Sequence, residues 1–529
     1  MTQHRLNLGH ELVIDLFAGG GGASTGIEAA LGRAVDIAVN HDPEAVAMHT
    51  VNHPGTRHFC ESVFKVDPHA VAGHQPVGLL WASPDCTHHS KAKGGKPVSS
   101  GRRGLAWVVV KWARRLRPRM IALENVEEFA DWGPLTKDGM PCPLRKGQQF
   151  AEFVRQLARL GYKVEHQLLR ACDYGVPTIR RRLFLIARRD GIPIRWPKPT
   201  HGAPASLAVR RGKLAPWRTA AECIDWSIPA PSIFERKKPL AQNTLKRIAR
   251  GVQRFVVESS NPFILPTKEG YTDGEFDVRN SGDPRSDQAG AVRAVRAAES
   301  AERRDDRRSG LVEKDHPGER AGADDATAGA GDARFLQLGS RRTLVAAFIA
   351  KHYTGVVGSD LRDPIGTVTA IDHHAVVAAH LLNQKGSDQR MRDLRDPAPT
   401  VCAGGTHAAL VAALLAPYYG QGSGTTGRDL RDPAPTITSK DRLQLVTVTL
   451  DGATYVLTDI GMRMLQPHEL YRAQGFPESY IIDHGPAGER FSKTAQVRMC
   501  GNSVCPPVAR ALIEANFAHE VHADLTCSA

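Results

Sequence analysis

The sequence predicts an α/β fold in which a parallel sheet is followed by a β-rich region with internal repeats. Two observations support this prediction. Residues 11–200 alternate short apolar runs, typical of buried strands, with stretches of helical periodicity. Beyond residue 200 this alternation gives way to copies of an Asp-Leu-Arg-Asp-Pro sequence that begin at Asp360, Asp393 and Asp429.

The elements of the first part follow one another in a regular order. The predicted strands are 11–17, 35–40, 77–83, 120–123 and 182–187, and the predicted helices are 26–31, 43–51, 105–116 and 150–160. Gly161 is a stop signal for the last of these helices. Because a helix between two strands returns the chain across the sheet, this spacing predicts parallel strands.

Each repeat begins with a proline turn and continues with a short β-type run. These runs are Thr-Val-Thr-Ala at 367–370, Thr-Val-Cys-Ala at 400–403 and Thr-Ile-Thr-Ser at 436–439. A second apolar run follows, as at 407–415. The pattern predicts one strand pair per unit, and stacked units would form an elongated β-rich module. A purely structural solenoid and a binding face are both compatible with it.

Residues 283–334 interrupt the repeats. They contain no Phe, Trp, Tyr or Ile and are rich in charge, so they cannot bury enough apolar surface to offset the entropy of ordering. The sequence predicts disorder there. A repeat head at Asp277 and a repeat tail at Leu344 lie 67 residues apart, against 17 in a complete unit. Both an insertion and a segment read out of frame would produce this spacing.

Composition excludes several classes of protein. Lys and Arg outnumber Asp and Glu by 69 to 56, and a net charge of +13 suits a polyanionic partner such as nucleic acid. Nine scattered cysteines without a Cys-x-x-Cys pair indicate reduced thiols, not a disulfide framework or a zinc site of common spacing. The longest apolar stretches, such as Leu410–Pro417, fall short of a membrane span, and the N-terminus lacks the pattern of a secretory signal.

A glycine-rich loop, Asp15-Leu-Phe-Ala-Gly-Gly-Gly-Gly-Ala-Ser-Thr-Gly26, joins the first strand to a helix. Glycines at such a junction let backbone N–H groups and a ligand approach closely. The loop matches neither the dinucleotide fingerprint nor a phosphate-binding P-loop. It therefore predicts a nucleotide-like cofactor bound without reliance on a pyrophosphate, with a purely structural turn as the alternative.

A second candidate loop, Pro84-Asp-Cys-Thr-His-His-Ser90, follows the apolar strand at 77–83. Ligands bind at the carboxyl ends of strands in open α/β sheets, so Cys86 is expected where a substrate would lie. Nearby cations lower the pKa of a thiol and attract phosphates. The loop continues into five cations: Lys91, Lys93, Lys96, Arg102 and Arg103. A metal site of Cys86, His88 and His89 is an alternative, without a second ligand cluster to support it.

Charged side chains stand at two further strand ends. Glu124 follows the strand at 120–123, and Thr178-Ile-Arg-Arg-Arg182 leads into the strand at 182–187. A glutamate in this position is more often a surface or helix N-terminal residue. A thiol, a carboxylate and arginines at neighbouring strand ends can nevertheless face one substrate.

In this order, the motifs resemble the DNA cytosine-5 methyltransferase family. The glycine loop is similar to its S-adenosylmethionine loop, Pro84–Ser90 to its nucleophile loop, Glu124-Asn-Val to its carboxylate motif and 178–182 to its arginine motif. Two C-terminal stretches match as well, Arg463–Pro477 and Gln496–Val504. The resemblance covers residues 11–200 and 456–515, and six ordered motifs make it specific.

The resemblance implies roles for four residues. Cys86 would be the nucleophile that adds to cytosine C6 and makes C5 reactive towards a methyl group. Glu124 would hold the N3 and amine edge of the base. Arg182, together with Arg180, would contact the base carbonyl and orient Glu124. Because C5 is inaccessible within the duplex stack, the base must flip out.

It also implies a site for S-adenosylmethionine, with Phe17 stacked on the adenine. Asn40 stands where the family has a ribose-binding acid, with Asp42 nearby, and Glu61-Ser62 fits the acid-containing pair near the adenine amino group. The residues expected to bind the cofactor are Phe17, Gly19, Gly21, Gly22, Asn40, Asp42, Glu61, Ser62, Pro84, Asn502 and Ser503.

Three positions depart from the family pattern. Asp85 replaces a proline, Thr87 a glutamine and Thr178 the first glutamine of the arginine motif. An acid beside the nucleophile tends to raise a thiol pKa unless the lysines compensate. None of the three removes a catalytic group, so activity is still expected.

At the level of the whole chain, the resemblance implies a Rossmann-like methyltransferase sheet and a second, β-rich target-recognition domain that contains the repeats. The expected division is a catalytic domain at 1–200, target recognition at 201–455, and a segment at 456–529 that completes the catalytic domain. Double-stranded DNA is the expected partner of a monomeric, cytoplasmic, nucleoid-associated enzyme. With no restriction-nuclease motif in the chain, a solitary or phage-type methyltransferase is the favoured kind.

Two alternatives stay open. An RNA cytosine methyltransferase could use the same scaffold, although the large repeat-bearing region favours DNA. A DNA-binding remnant without catalysis would result if the segment at 283–334 had damaged target recognition.

Overall fold

The structure, a computed structural model, describes most of the chain between residues 11 and 518. Within that range the described residues exclude 74, 85–103, 137–139, 235, 266–342, 352–356, 372, 384–413, 418–427, 430–442, 446 and 451–452. The nucleophile loop from Asp85 onwards, the segment 283–334 and the second repeat head therefore lie outside the described residues.

A seven-stranded sheet organises the first 200 residues. Its strands are β1 (Leu12–Leu16), β2 (Ile37–Asn40), β3 (Arg57–Cys60), β4 (Val77–Ala82), β5 (Met120–Asn125), β6 (Lys163–Arg170) and β7 (Arg181–Arg188). They lie in the order β3-β2-β1-β4-β5-β7-β6. All five strands that the sequence predicts are present, and the α/β prediction is confirmed.

The prediction of a wholly parallel sheet is wrong at one edge. Strands β1 to β5 run parallel, but β7 pairs antiparallel with both β5 and β6. A short connection, not a crossover helix, joins β6 to β7, and it reverses the chain direction. Strand β6 was not predicted because it lies at the sheet edge with a mostly polar, partly exposed sequence.

Helices cover both faces of this sheet. In order along the chain they are α1 (Gly22–Leu31), α2 (Pro43–Asn52), α3 (Pro68–Ala72), α4 (Ala106–Leu116) and α5 (Gln148–Arg159). Alternate strand residues point to opposite faces, so Leu80 joins the core beneath α4 and α5, whereas Leu79 joins the core beneath α1. The apolar runs of β4 and β5 are buried throughout, as expected for central strands.

The later part of the chain forms two antiparallel sheets and one short parallel pair, β8 with β9. Short elements come first: β8 (His201–Gly202), α6 (Leu207–Arg210), β9 (Ala215–Pro216), α7 (Gln242–Val252) and β10 (Ile264–Leu265). They are followed by β11 (Thr343–Lys351), β12 (Gly358–Ser359), β13 (His374–Asn383), β14 (Leu414–Pro417), β15 (Arg428–Asp429), β16 (Leu443–Leu445), β17 (Thr447–Leu450) and β18 (Ala453–Met464). Strands β10-β11-β13-β18-β17 form one sheet with β12 beside β11, and β15-β14-β16 form another.

The first repeat departs from its prediction. Residues 367–370 are not a strand, and only Ile365 makes an isolated bridge, to Thr178. The second apolar run of that repeat does form a strand, β13. A carbonyl group of this repeat head accepts a hydrogen bond from a side chain elsewhere in the chain instead of from a neighbouring strand, as described below.

The C-terminal part begins as a strand and then becomes helical. Residues 456–464 belong to β18, and the helices α8 (Pro467–Ala473), α9 (Lys493–Asn502) and α10 (Pro506–Ile513) follow. Helix α10 packs on α1, where Gly26 lies against Pro506 and Ala509 with no room for a side chain. In the described part of the chain, no helix is long and apolar enough to cross a membrane.

By its contacts the chain divides into two units. The first consists of Met1–Asp225, Pro229–Pro266 and Thr343–Ala529, and it holds every sheet named above. Of the second, Trp226–Ile228 and Thr267–Arg342, only the three residues at 226–228 are described. The division at 200 and 455 that the sequence predicts stays a prediction.

Candidate active site

The glycine loop leaves the end of β1 in a conformation that few residue types adopt. Phe17 has a φ of 62°, and Gly19 and Gly21 have φ values of 55° and 95°. A side chain is disfavoured in this region of backbone space. Phe17 is partly buried against the core beneath α4, and a side chain at Gly19 would meet the Phe17 carbonyl at 3.9 Å, an ordinary contact distance. The loop thus offers an aromatic ring and an uncovered backbone beside it.

Two loop glycines are close to protein groups. A side chain on Gly22 would collide with the Val504 carbonyl, and one on Gly21 would come within 2.6 Å of His53 Nε2. From the sequence, glycine is expected at these positions because it lets a ligand approach the backbone closely. The structure adds packing against α2 and the C-terminal segment as a reason for glycine at both positions.

The ends of β2 and β3 lie next to each other. The Glu61 amide donates to the Asn40 carbonyl at 3.0 Å, and the Asn40 side chain accepts from the Asp42 amide at 2.9 Å. Glu61 is exposed and Ser62 is partly buried. Asn40 and the Glu61-Ser62 pair, which the sequence assigns to one ligand, are therefore neighbours.

Asp42 is engaged within the protein. One oxygen caps α2 by accepting from the Glu44 amide at 3.1 Å, and the other pairs with Arg498 on α9. Partial burial tends to raise the pKa of Asp42, but Arg498 and the amide bonds hold it below its usual range. Its carboxylate therefore stabilises the start of α2 and attaches it to α9, a role that sequence reasoning missed.

Pro84 is buried at the end of β4, and its position is fixed from β5. The Asn125 side chain donates to the Pro84 carbonyl at 2.9 Å and accepts from the Val126 amide at 2.9 Å. Asn125 is only 1% exposed. The residue after Glu124 therefore holds the start of the nucleophile loop two residues before Cys86, which itself lies outside the described residues.

Glu124 is a buried carboxylate on the same strand. Its Oε1 lies 3.3 Å from Arg182 Nε, across the antiparallel pairing of β5 with β7. Burial raises the pKa of Glu124, while the positive charges of Arg182 and Arg180 oppose that rise. A cavity of about 10 Å³, large enough for roughly one water molecule, is lined by Glu124, Arg180, Arg182 and Cys505.

Arg180 makes contacts of a different kind. Its Nη1 donates to the carbonyls of Val368 and Gly501 at 3.0 and 3.1 Å, and its Nη2 donates to the Ser503 carbonyl at 3.0 Å. The residue is 4% exposed. Arg180 thus joins the first repeat head to the C-terminal segment, whereas Arg182 is the arginine beside Glu124.

The two C-terminal site residues differ in exposure. Asn502 ends α9 with an exposed side chain, whereas Ser503 is buried and its hydroxyl donates to the Met499 carbonyl at 2.7 Å. Asn502 is free to face a ligand, and Ser503 closes the end of α9.

A buried polar network beneath the glycine loop was not predicted. Ser24 Oγ donates to Asp15 Oδ2 at 2.8 Å and lies 3.0 Å from His49 Nε2, and His49 Nδ1 lies 2.7 Å from His58 Nε2. Burial, followed by the charges of His53 and His58, holds the pKa of His49 well below its usual range. The four-residue spacing of His49 and His53 on α2 was the available sequence signal.

Metal binding finds no support in the described part of the chain. No group of three or more His, Cys, Asp or Glu side chains there is arranged to hold an ion. The alternative metal site of Cys86, His88 and His89 lies outside the described residues.

Several known proteins are similar to this chain. The type II methyltransferases M.AgeI of Thalassovita gelatinovora and M.XorII of Xanthomonas oryzae are each 32% identical over 193 and 196 residues, 36% and 35% of this chain. The chain spans only 42% and 43% of the lengths of these relatives. The S. pombe Dnmt2 methyltransferase structure covers 97% of this chain and 99% of its own, with 13% identity and a TM-score of 0.41.

The motif order and the strand ends described above coincide with a match to a family model. The model of the C-5 cytosine-specific DNA methylase family matches residues 12–220 and 392–518, more than half of the chain. The first region includes the glycine loop, Pro84, Glu124 and the arginine motif, and the second includes α8 to α10. The chain belongs to the C-5 cytosine-specific DNA methylase family.

Proposed function

We propose that this chain transfers a methyl group from S-adenosylmethionine to C5 of a flipped-out cytosine in duplex DNA. One observation carries the proposal. Asn125, the residue after Glu124 on β5, donates a hydrogen bond to the Pro84 carbonyl and so holds the start of the nucleophile loop. A nucleophile and a carboxylate delivered to the same sheet edge match what addition to cytosine requires.

The residues around the glycine loop fit the cofactor. An adenosine group needs a surface for stacking and polar groups for its hydroxyls and amine. Phe17 supplies the ring, Gly19 the uncovered backbone, and Asn40 with Glu61 the polar groups at the neighbouring strand ends. When bound, S-adenosylmethionine supplies an electrophilic methyl group. Asp42, already paired with Arg498, is left to shape the site.

In the proposed reaction, the Cys86 thiolate forms a bond to C6 of the base. The Glu124 carboxyl group, whose pKa burial raises, would donate a hydrogen bond to N3 as negative charge develops on the ring, and Arg182 would hold Glu124 in place. C5 would gain electron density and form its bond to the methyl carbon as that carbon's bond to the sulfonium sulfur breaks, which leaves S-adenosylhomocysteine. Loss of the C5 proton to a base then returns the electron pair to the ring and expels Cys86.

The proposal assigns the rest of the chain to recognition. Residues 1–200 and 456–529 would bind the cofactor and carry the reaction, and residues 201–455 would contact duplex DNA. The contacts of Arg180 support the association of 1–200 with 456–529, since this side chain ties the arginine motif to the C-terminal segment.

The decisive experiment measures transfer of labelled methyl to duplex DNA by wild type, Cys86→Ala and Cys142→Ala. Cys142 is the matched control because Arg145 holds the pKa of its thiol below the usual range, which makes it a competing nucleophile. We expect Cys86→Ala to abolish incorporation and Cys142→Ala to retain it. Duplex containing 5-fluorocytosine, which has no C5 proton to lose, should trap a chain–DNA adduct only when Cys86 is present.

Other outcomes would redirect the proposal. Incorporation into transfer RNA but not into DNA would favour the RNA methyltransferase. Cofactor binding without transfer to either nucleic acid would favour a remnant that has lost catalysis. Transfer that survives Cys86→Ala would contradict the mechanism.

A further inference from the structure

Two hydroxyl groups hold consecutive carbonyls of the glycine loop from beneath. The Tyr480 hydroxyl donates to the Gly20 carbonyl, and the Thr25 hydroxyl donates to the Gly21 carbonyl at 2.8 Å. Tyr480 comes from the segment between α8 and α9, some 460 residues from the loop. The loop conformation therefore depends on a residue that none of the six sequence motifs contains.

His53 lies against the same two hydroxyls. Its Nε2 is 3.4 Å from both Thr25 Oγ1 and the Tyr480 hydroxyl, and its Nδ1 is 2.8 Å from Glu28 Oε2. Because both hydroxyl protons are directed at loop carbonyls, Nε2 faces oxygen lone pairs. A carboxylate oxygen faces Nδ1. His53 therefore lies between these two hydroxyl groups and the Glu28 carboxylate.

Hydrogen bonds fix the position of Tyr480. The Asn52 side chain donates to the Ile481 carbonyl at 2.8 Å and accepts from the Ile481 amide at 2.8 Å. The Tyr480 ring also packs against Phe476, with ring centroids 4.7 Å apart. The chain around Tyr480 is thereby attached to the end of α2, beside His53.

The loop is built to accept these side chains. Gly21 has a φ of 95°, and any side chain there would collide with the Tyr480 hydroxyl and His53 Nε2. Tyr480 and His53 thus occupy the space on the inner side of the loop, while a side chain at Gly19 would meet the Phe17 carbonyl at an ordinary contact distance of 3.9 Å.

We propose that Tyr480 and His53 are positioning residues that hold residues 19–22 in the conformation that binds the cofactor. The inference rests on the proposed function, in which this loop binds S-adenosylmethionine. Neither side chain needs to touch the ligand. Tyr480 acts through the Gly20 carbonyl, and His53 acts through the hydroxyl groups of Tyr480 and Thr25.

The test compares Tyr480→Phe with Tyr471→Phe. Tyr471 is the matched control because it is also buried and packs near Tyr480, but its hydroxyl contacts Met48 Sδ at 3.2 Å and no loop carbonyl. We expect Tyr480→Phe to weaken binding of S-adenosylhomocysteine, measured by titration calorimetry, about five- to tenfold, the effect of one lost buried hydrogen bond. Tyr471→Phe should bind as wild type does, with a similar melting temperature to Tyr480→Phe.

His53 gives a second measurement. His53→Gln keeps an N–H donor that can reach the hydroxyls, whereas His53→Leu removes it, so binding should be largely retained in the first and weakened in the second. With turnover, Tyr480→Phe and His53→Leu should raise the KM for S-adenosylmethionine and leave kcat nearly unchanged. A residue that only stabilised the fold would not produce that division.

Each result separates the two proposals. If wild type binds neither S-adenosylmethionine nor S-adenosylhomocysteine, the proposed function fails and this inference fails with it. If wild type binds and Tyr480→Phe binds equally well, the positioning role alone is overturned. Equal weakening in Tyr480→Phe and Tyr471→Phe would also overturn it, since general packing would then explain the loss.

Discussion

Two buried carboxylates stand at the ends of parallel strands in one sheet, and their surroundings differ. Glu124 on β5 has Arg182 at 3.3 Å, and the charges of Arg182 and Arg180 oppose the rise in its pKa that burial causes. Asp15 on β1 accepts one hydrogen bond, from Ser24, and its Oδ1 is buried with no hydrogen bond to any described residue. Burial raises the pKa of Asp15 to about 7.

The comparison distinguishes Glu124, whose surroundings suit a role in the reaction, from Asp15, which is part of the buried structure beneath the glycine loop. Cations limit the rise in pKa that burial causes, whereas a hydroxyl alone opposes that rise less. Glu124 has those cations at the edge where a base would bind. Asp15 lies beneath the glycine loop and is connected to His49 through Ser24.

The largest effect is expected when Glu124 loses the positive charge of Arg182. Arg182→Met should lower kcat/KM for DNA methylation roughly thousandfold, the effect of losing one organised donor in an active site. With Arg182 gone, burial acts on Glu124 with less opposition and raises its pKa further, so the remaining activity, which needs the protonated carboxyl group, should persist to higher pH than that of wild type. A pH–rate profile of the variant measures both effects. Activity equal to that of wild type would remove Glu124 and Arg182 from the mechanism.

The pH dependence of the unfolding free energy tests the raised pKa of Asp15. The pKa of Asp15 is about 7 in the folded chain against an ordinary 3.8, so between these pH values the folded state holds a proton that the unfolded state has lost. Stability therefore falls as pH rises through that window, by at most roughly 4 kcal/mol. Asp15→Asn cannot ionise, so its unfolding free energy relative to wild type should increase from pH 4 to pH 7.

Urea titrations at several pH values provide that measurement. Ser24→Ala is the companion variant, because the Ser24 hydroxyl lowers the pKa of Asp15 and its loss should steepen the fall. An unchanged difference between Asp15→Asn and wild type from pH 4 to pH 7 would show that Asp15 stays ionised in the fold.

Features that depend on neighbouring residues were predicted from the sequence, and features that depend on residues far apart in the chain were not. Cys86 excepted, the predicted groups of the first 200 residues lie at the ends of β1 to β5 and at the start of β7, as local apolar runs followed by polar residues indicate. The role of Arg180 could not be predicted, because its acceptors are carbonyls 188, 321 and 323 residues away. Tyr480 was missed for the same reason.

The repeat region shows the same limit. Strand β13 pairs with β11 on one side and with β18 on the other, and these pairings join residues far apart in sequence. Repetition indicated equivalent units but not their partners. The run at 367–370 has β propensity, yet Arg180 takes the Val368 carbonyl that a strand partner would have used.

The next largest effect is expected on stability, because Arg180 joins the arginine motif to the repeat head and to the C-terminal segment. Arg180→Met keeps the aliphatic stem but leaves three buried carbonyls without their charged donor, which should cost about 3 kcal/mol of unfolding free energy. Urea denaturation measures the loss. Arg182→Met is the comparison, since Arg182 donates to one described carbonyl, that of its neighbour Arg181. A smaller loss in Arg180→Met than in Arg182→Met would contradict the assignment of Arg180 to assembly.

The smallest effect is expected for the arginine between them. Arg181 has a side chain 48% exposed and pairs with Glu127 at the surface, where solvent and salt screen the attraction. Arg181→Met should change the unfolding free energy by less than about 0.5 kcal/mol and leave methylation within twofold of wild type. Three consecutive arginines would then differ only in burial and partners: one assembles the fold, one is exposed, and one supports Glu124. A loss in Arg181→Met as large as that in Arg180→Met would mean that charge on this strand, and not burial, sets the cost.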